Sequence, residues 1–235
     1  MAIAYVKKED IELNFENGFA MTEMLAGAYT YPPVRNFRGV VKAGCCAQPP
    51  MHEGCLQVYC LTDGRGYVTT QDKVFTVEEL SFFVPAVGVP FTIHALTEMT
   101  FTAFIIKMGE RDWAVHNRSR LVLPFFRKVS DSEEYWQSCK TEGTRSWSII
   151  NGKQLFPVIM GVVKSGEGGT IEKGHPSVAQ WNVILGDSDI DLTIDGEGTV
   201  EQKGGDFSYV PAGPDHSLVA RPGKTLHYIW FEYFV

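Results

Sequence analysis

Gly204-Gly205-Asp206-Phe207-Ser208-Tyr209-Val210-Pro211-Ala212-Gly213-Pro214-Asp215-His216 reads as a glycine turn, a short strand, a Pro-x-Gly turn, and a histidine that opens the next strand. Glycine supplies the backbone freedom of the first turn, and proline ends a strand because it has no N–H to give to a ladder. A histidine placed just after such a turn sits where a strand begins.

A fainter copy of the same plan lies half a chain earlier. Pro85 and Pro211 each close an apolar strand, and each precedes a histidine, His94 and His216. Upstream of these, His52 is followed by four residues and Gln57, and His175 by four residues and Gln180. His52 and His175 are 123 positions apart, and His94 and His216 are 122 apart. Matched offsets of this kind indicate an internal duplication.

Between these landmarks the chain is a series of short apolar runs. Leu56–Leu61, Val74–Val77, Ser81–Val84 and Met99–Ile106 lie in the first half, and Phe156–Lys164, Ala179–Leu185, Ile190–Ile194 and Leu226–Phe234 in the second. Turn residues separate them, and Asp195-Gly196 between two alternating runs is a hairpin signal. The expected class is all-β. Residues 1–125 are assigned to a lead-in arm and a first domain, with the arm lying on that domain. Residues 126–235 are assigned to a connecting helix and a second domain. The helix is expected from the capping box Ser130-Asp131-Ser132-Glu133 and the residues through Ser138.

Composition narrows the partners. The 235 residues suffice for two cores, and the net charge of −7 is spread rather than blocked. A nucleic-acid partner would favour a basic face, and none is visible. No apolar run is long enough to span a membrane. The N-terminus turns charged too early for a secretory signal. Five cysteines, Cys45, Cys46, Cys55, Cys60 and Cys139, show no disulfide spacing. Reduced thiols in a cytoplasm, acting as small buried apolar residues, are expected.

The two halves resemble the cupin superfamily. Its second motif, Gly-x5-Pro-x-Gly-x2-His-x3-Asn, is matched by Gly205, Pro211, Gly213 and His216, with Ala220 at the Asn place. Its first motif, Gly-x5-His-x-His-x3–4-Glu-x6-Gly, is matched in spacing by Gly44, Pro50, His52, Gln57 and Gly64. In the second half His175 takes the second-His place, Lys173 the first and Gln180 the Glu place. An alternative register makes His175 the first His and Ser177 the second. The resemblance implies two tandem jelly-roll barrels, a bicupin, with the helix expected from the capping box as their connection. Barrels of this family pair commonly, so a homodimer is expected.

The resemblance also implies a divalent transition metal: Fe, Mn, Ni, Co or Zn. Nitrogen and oxygen donors suit all five. In the second barrel the ligands are expected to be His175, Gln180 and His216. Glu172, three residues before His175, can supply the missing negative charge. A weaker set, His52, Gln57 and His94, is expected in the first barrel, whose interior is read as degenerate and filled by Phe91, Met51 and cysteines. His116 and His227 are read as structural. Tyr228 and Glu232 share a face of the last strand and, with Tyr209, are the candidates for proton transfer. The leading function is a metal-dependent isomerase or lyase acting on a small polar metabolite. A dioxygenase, a hydrolase and a non-catalytic small-molecule-binding bicupin are the alternatives.

Overall fold

The computed structural model describes residues 3–26, 33–118 and 121–235. The strands of its first half are β1 (Ala4–Val6), β2 (Phe19–Glu23), β3 (Val34–Val41), β4 (Cys46–Ala47), β5 (Cys55–Asp63), β6 (Gly66–Thr69), β7 (Val74–Val77), β8 (Ser81–Val84), β9 (Thr92–Ala95), β10 (Met99–Lys107) and β11 (Phe125–Lys128). Those of the second are β12 (Glu133–Tyr135), β13 (Arg145–Ile150), β14 (Val158–Ser165), β15 (Gly169–Glu172), β16 (Val178–Ile184), β17 (Asp189–Ile194), β18 (Gly198–Lys203), β19 (Phe207–Val210), β20 (His216–Ala220) and β21 (Leu226–Phe234). Two compact units result, one of residues 11–26 and 33–131, the other of 3–10 and 132–235.

The first unit is a barrel of two sheets, ordered β11-β8-β5-β10-β3-β2 and β4-β9-β6-β7. All their pairings are antiparallel. Between the sheets lies a core rich in aromatics: Phe37, Tyr59, Phe83, Phe91 and Phe101, closed by Val68, Val77 and Ile93. Tyr59 and Phe91 meet edge to face at 4.9 Å between ring centroids, as do Phe83 and Phe91 at 5.0 Å. Met51, expected to help fill this interior, is instead exposed. So is Cys46, and only Cys60 of the five free thiols is fully buried.

The second unit repeats the plan with sheets β1-β19-β16-β21-β14-β13-β12 and β15-β20-β17-β18. Alternation is clear in β17, where Ile190, Leu192 and Ile194 are buried and the residues between them are not. The Asp195-Gly196 hairpin forms as expected, closed by the pairing of Ile194 with Gly198. The Gly204–His216 stretch crosses from one sheet to the other, since β19 belongs to the larger and β20 to the smaller. Gly205 adopts φ +98°, and a Cβ there would meet the Lys8 side chain at 2.5 Å. Glycine suits both demands.

Two expectations are corrected. The arm is divided: β2 pairs with β3 and lies on the first barrel as expected, but β1 pairs antiparallel with β19 of the second. Asp206 holds it there, accepting the Lys8 N–H at 2.9 Å and the Lys203 N–H at 2.8 Å. The capping box at 130–133 opens no α-helix. Val129–Asp131 is a single 3-10 turn and Glu133–Tyr135 is a strand. The Ser130 hydroxyl donates to the Glu79 carboxylate. Arg145 on β13 donates to both oxygens of Glu134, at 3.0 and 2.6 Å. A helix so short is too costly to nucleate against an available strand edge. The helix that does form, α1, is Glu110–His116, with Asp112 accepting the Gly109 N–H at 3.1 Å.

His227 lies on β21 opposite Lys164. Burial, and then the Lys164 charge, push its pKa down from 6.5 to about 4, against a smaller opposing pull from Asp187. The folded chain therefore binds this proton more weakly than the unfolded chain. His227's contribution to stability is full above about pH 6.5 and is lost as pH falls toward about 4. Allowing for its partly exposed ring, the loss is on the order of 2 kcal/mol. Urea melts of the His227→Gln variant should show a flatter pH dependence across that window. An unchanged dependence would assign the acid sensitivity elsewhere.

Candidate metal centre

Glu172, His175 and His216 form one cluster in the second barrel. One ligand atom from each lies within 4.8 Å of the others. Among the described residues it is the one group of three or more His, Cys, Asp or Glu side chains arranged so. Glu172 ends β15 and pairs in register with His216, which begins β20. Their side chains therefore leave adjacent strands on the same face. His175 lies in the loop after β15. Its Nε2 stands 3.6 Å from Glu172 Oε2, and its ring is 5.6 Å from that of His216, near perpendicular.

The opening stretch sets the His216 tautomer. Nδ1 donates to the Pro214 carbonyl at 3.2 Å. Nε2 is buried and meets no partner within the chain. A neutral imidazole held in this way presents the Nε2 lone pair, the arrangement usual for a histidine ligand. Burial lowers the His216 pKa, and Glu172 opposes that shift. The donor set, two imidazoles and a carboxylate with one orphaned buried nitrogen, fits a divalent cation. The loop is fixed from outside. Asp215 accepts the Gly174 N–H at 2.8 Å and Lys173 Nζ at 2.7 Å, and the Gly213 N–H donates to the His175 carbonyl at 3.0 Å.

Gln180 lies on β16 opposite Glu232. Its Nε2 donates to Asn182 Oδ1 at 2.9 Å, while its buried Oε1 has no partner in the chain. The carboxylate of the cluster thus comes from Glu172, not from the motif's usual position. Glu232 is pushed up to about pKa 8, first by burial and then by the Glu172 charge. Tyr228 is fully buried and shares a hydrogen bond of 2.9 Å with Thr170. Tyr209 does not join the site. Its ring packs on Trp181, 5.1 Å between centroids, on the opposite face of β19 and β16. Two neighbours escaped the sequence reading. Tyr135 and Cys139 both feel the charges of Glu172 and Glu232, and burial is the main cause that raises both groups, Cys139 to about 11. No motif marks either residue.

The first barrel does not assemble its expected set. Gln57 accepts the Tyr59 hydroxyl at 2.8 Å inside the aromatic core. His94 lies on the outer face of β9, because its neighbours Ile93 and Ala95 are the ones that enter the core. His52 packs near Phe37, 6.1 Å between rings. Parity along β9 is the physical reason. The one-residue alternation that buries Ile93 turns His94 out.

The fold is that of a bicupin, two jelly-roll barrels in tandem. Among solved structures it is similar to oxalate decarboxylase from Bacillus subtilis. The form solved at pH 4.6 matches with a TM-score of 0.74 and 16% identity, covering 100% of this chain and 79% of that one. A variant of the same enzyme matches at 0.74 and 14% identity, covering 100% and 80%. A further structure, from work on its Mn(II) centres, gives 0.74, 14%, and the same coverage. No protein-family model matches the chain, and no curated protein does. No helix among the described residues is long and apolar enough to cross a membrane.

Proposed function

We propose that the second barrel is a divalent-metal-dependent enzyme carrying out isomerase- or lyase-type chemistry on a small polar metabolite. The Glu172–His175–His216 cluster, with its inward unpartnered nitrogen, carries this reading. The similarity in fold to an oxalate decarboxylase with Mn(II) centres supports it, and makes oxalate the first substrate to assay. A cation bound here would act as a Lewis acid, polarising a carbonyl or carboxylate oxygen of the substrate.

The remaining work falls to the chain. Glu172 supplies the charge that Gln180 lacks. Pro214 holds the His216 ring in one tautomer. Glu232, whose pKa is raised chiefly by burial, is suited to donate a proton to the carbon that gains electron density when a C–C or C–H bond is broken. Both isomerisation and decarboxylation need such a donor. A second reading has one specific support. Two histidines and a carboxylate also make the set used by non-haem iron oxygenases. Iron content together with O2 consumption would favour that reading.

Metal analysis of the protein, purified without added metal or chelator, tests the proposal. Close to one transition-metal ion per chain is expected, and His216→Ala should abolish it. Metal-free protein would sink the reading. Glu232→Gln should keep its metal and lower kcat by roughly 100-fold. The wild-type rate should fall as pH rises and Glu232 loses its proton. That limb lies below pH 8 in the metal-loaded enzyme, because the cation offsets the Glu172 charge. Glu232→Gln should lack the limb altogether.

A further inference from the structure

We propose that the first barrel carries a separate reactive thiol site, Cys46–His94–Thr69, that forms covalent adducts with apolar α,β-unsaturated carbonyl compounds. The site lies on the outer face of the sheet β4-β9-β6-β7. Alternation places it there: Ala47, Ile93, Ala95 and Val68 enter the core, so Cys46, His94, Tyr67 and Thr69 face away from it. Cys46 and His94 are directly opposed across the β4–β9 pair.

The geometry is that of a nucleophile, a base and an orienting group. Cys46 Sγ lies 3.0 Å from His94 Nδ1. His94 Nε2 lies 2.9 Å from Thr69 Oγ1. With the Nε2 proton donated to the threonine oxygen, Nδ1 is left to accept from the thiol. Thr69 is a positioning residue that holds the ring in place: its hydroxyl can donate or accept, and the tautomer with the proton on Nε2 is the one that serves the thiol. Beside the thiol runs a groove of about 460 Å3 lined by Tyr67, Val74 and Leu96. Val74 and Leu96 are 66% and 61% exposed, unusual for residues of their kind, and give the groove its apolar character. Cys46 itself is exposed.

These features select the chemistry. The thiol proton passes to His94 Nδ1 as sulfur bonds to the β-carbon of the acceptor. The electron pair of the C=C bond moves to the carbonyl oxygen as an enolate. The imidazolium then returns the proton to the α-carbon. The product is a thioether, with no leaving group and no change of redox state. Apolar walls favour acceptors carrying an aryl or alkyl group. The other thiols are the internal comparison. Cys60 is sealed in the core, and burial pushes the Cys55 and Cys139 thiols up, Cys139 to about 11.

Site-resolved mass spectrometry of the intact, folded chain tests this, with N-phenylmaleimide and N-ethylmaleimide as probes at pH 7. Cys46 should label roughly tenfold faster than Cys55 or Cys139. His94→Gln should slow Cys46 by about tenfold while Cys60, sealed in the core of the same barrel, stays unlabelled and so reports that this barrel remains folded. Thr69→Val should slow Cys46, and Thr69→Ser should restore it. Leu96→Ser should remove the preference for the phenyl over the ethyl probe. Labelling of Cys46 no faster than Cys139, or a Cys46 rate indifferent to His94→Gln, would overturn the proposal.

Discussion

Gly174→Ala is expected to cost the second barrel about 3 kcal/mol and to lower its metal content sharply. A Cβ at Gly174 would stand 1.7 Å from the Gly213 carbonyl oxygen, 2.6 Å from its carbon and 2.7 Å from the Pro214 carbonyl carbon. All three are backbone atoms, so no side chain can swing aside. The loop bearing His175 must then part from the Pro-x-Gly turn. That movement stretches the bond from the Gly213 N–H to the His175 carbonyl and the bond from the Gly174 N–H to Asp215. It also disturbs the Pro214 carbonyl that holds His216 in its ligand tautomer. The exposed Lys173–Asp215 pair adds little to the cost. Thermal melting read beside metal analysis measures both effects. Gly186→Ala is the control. Its φ is +59° but nothing lies within 4 Å, so it should cost only about 1 kcal/mol of backbone strain and keep its metal. Equal behaviour of the two variants would show that the close approach at Gly174 does not matter.

What could be read from sequence was what local chemistry decides. The Gly205–His216 stretch carries its own turn glycines, strand residues and terminating proline, so its shape needed no partner. The hairpin at Asp195-Gly196 is of the same kind. What escaped was whatever depends on a distant strand. Residues 130–138 hold a sound capping box, yet β13 offered a strand edge that the local signal could not outweigh. β1 has no feature naming its partner, and the clamp from Asp206 to Lys8 spans nearly the whole chain. Parity was the other gap. His94 and Tyr209 belong to strands that were recognised, but each lies on the far side of its strand from a barrel interior. Glu172 shows the reverse. Its inward aim follows from the β15–β20 register, which pairs it with His216, whereas the motif looked for its carboxylate at Gln180. The exposed Cys46 beside His94 came from the same alternation, in a segment where composition suggested only buried thiols.

Tyr59→Ala is expected to destabilise the first barrel by about 5 kcal/mol. Tyr59 is fully buried, with Phe91 at 4.9 Å and Phe101 at 5.6 Å. Truncating so large a side chain in a close-packed core costs about 3–5 kcal/mol through lost transfer energy and the cavity left behind. The hydroxyl adds a separate part. It donates to Gln57 Oε1 at 2.8 Å, and burial pushes the phenol up, so the donor stays protonated throughout the accessible pH range. Without it a buried amide oxygen is left unsatisfied, at about 1–3 kcal/mol. Tyr59→Phe isolates that part, since the ring stays and only the donor is lost. The shift in urea midpoint should therefore be small for Tyr59→Phe and several times larger for Tyr59→Ala. Equal shifts would mean that the hydrogen bond, not the ring, holds this interior. The same column of rings bears on function. Phe91 and Tyr59 fill the barrel interior, and Gln57 is engaged by the tyrosine. Adding a transition metal to Tyr59→Ala should accordingly produce no first-barrel site, because His94 still faces outward with Cys46.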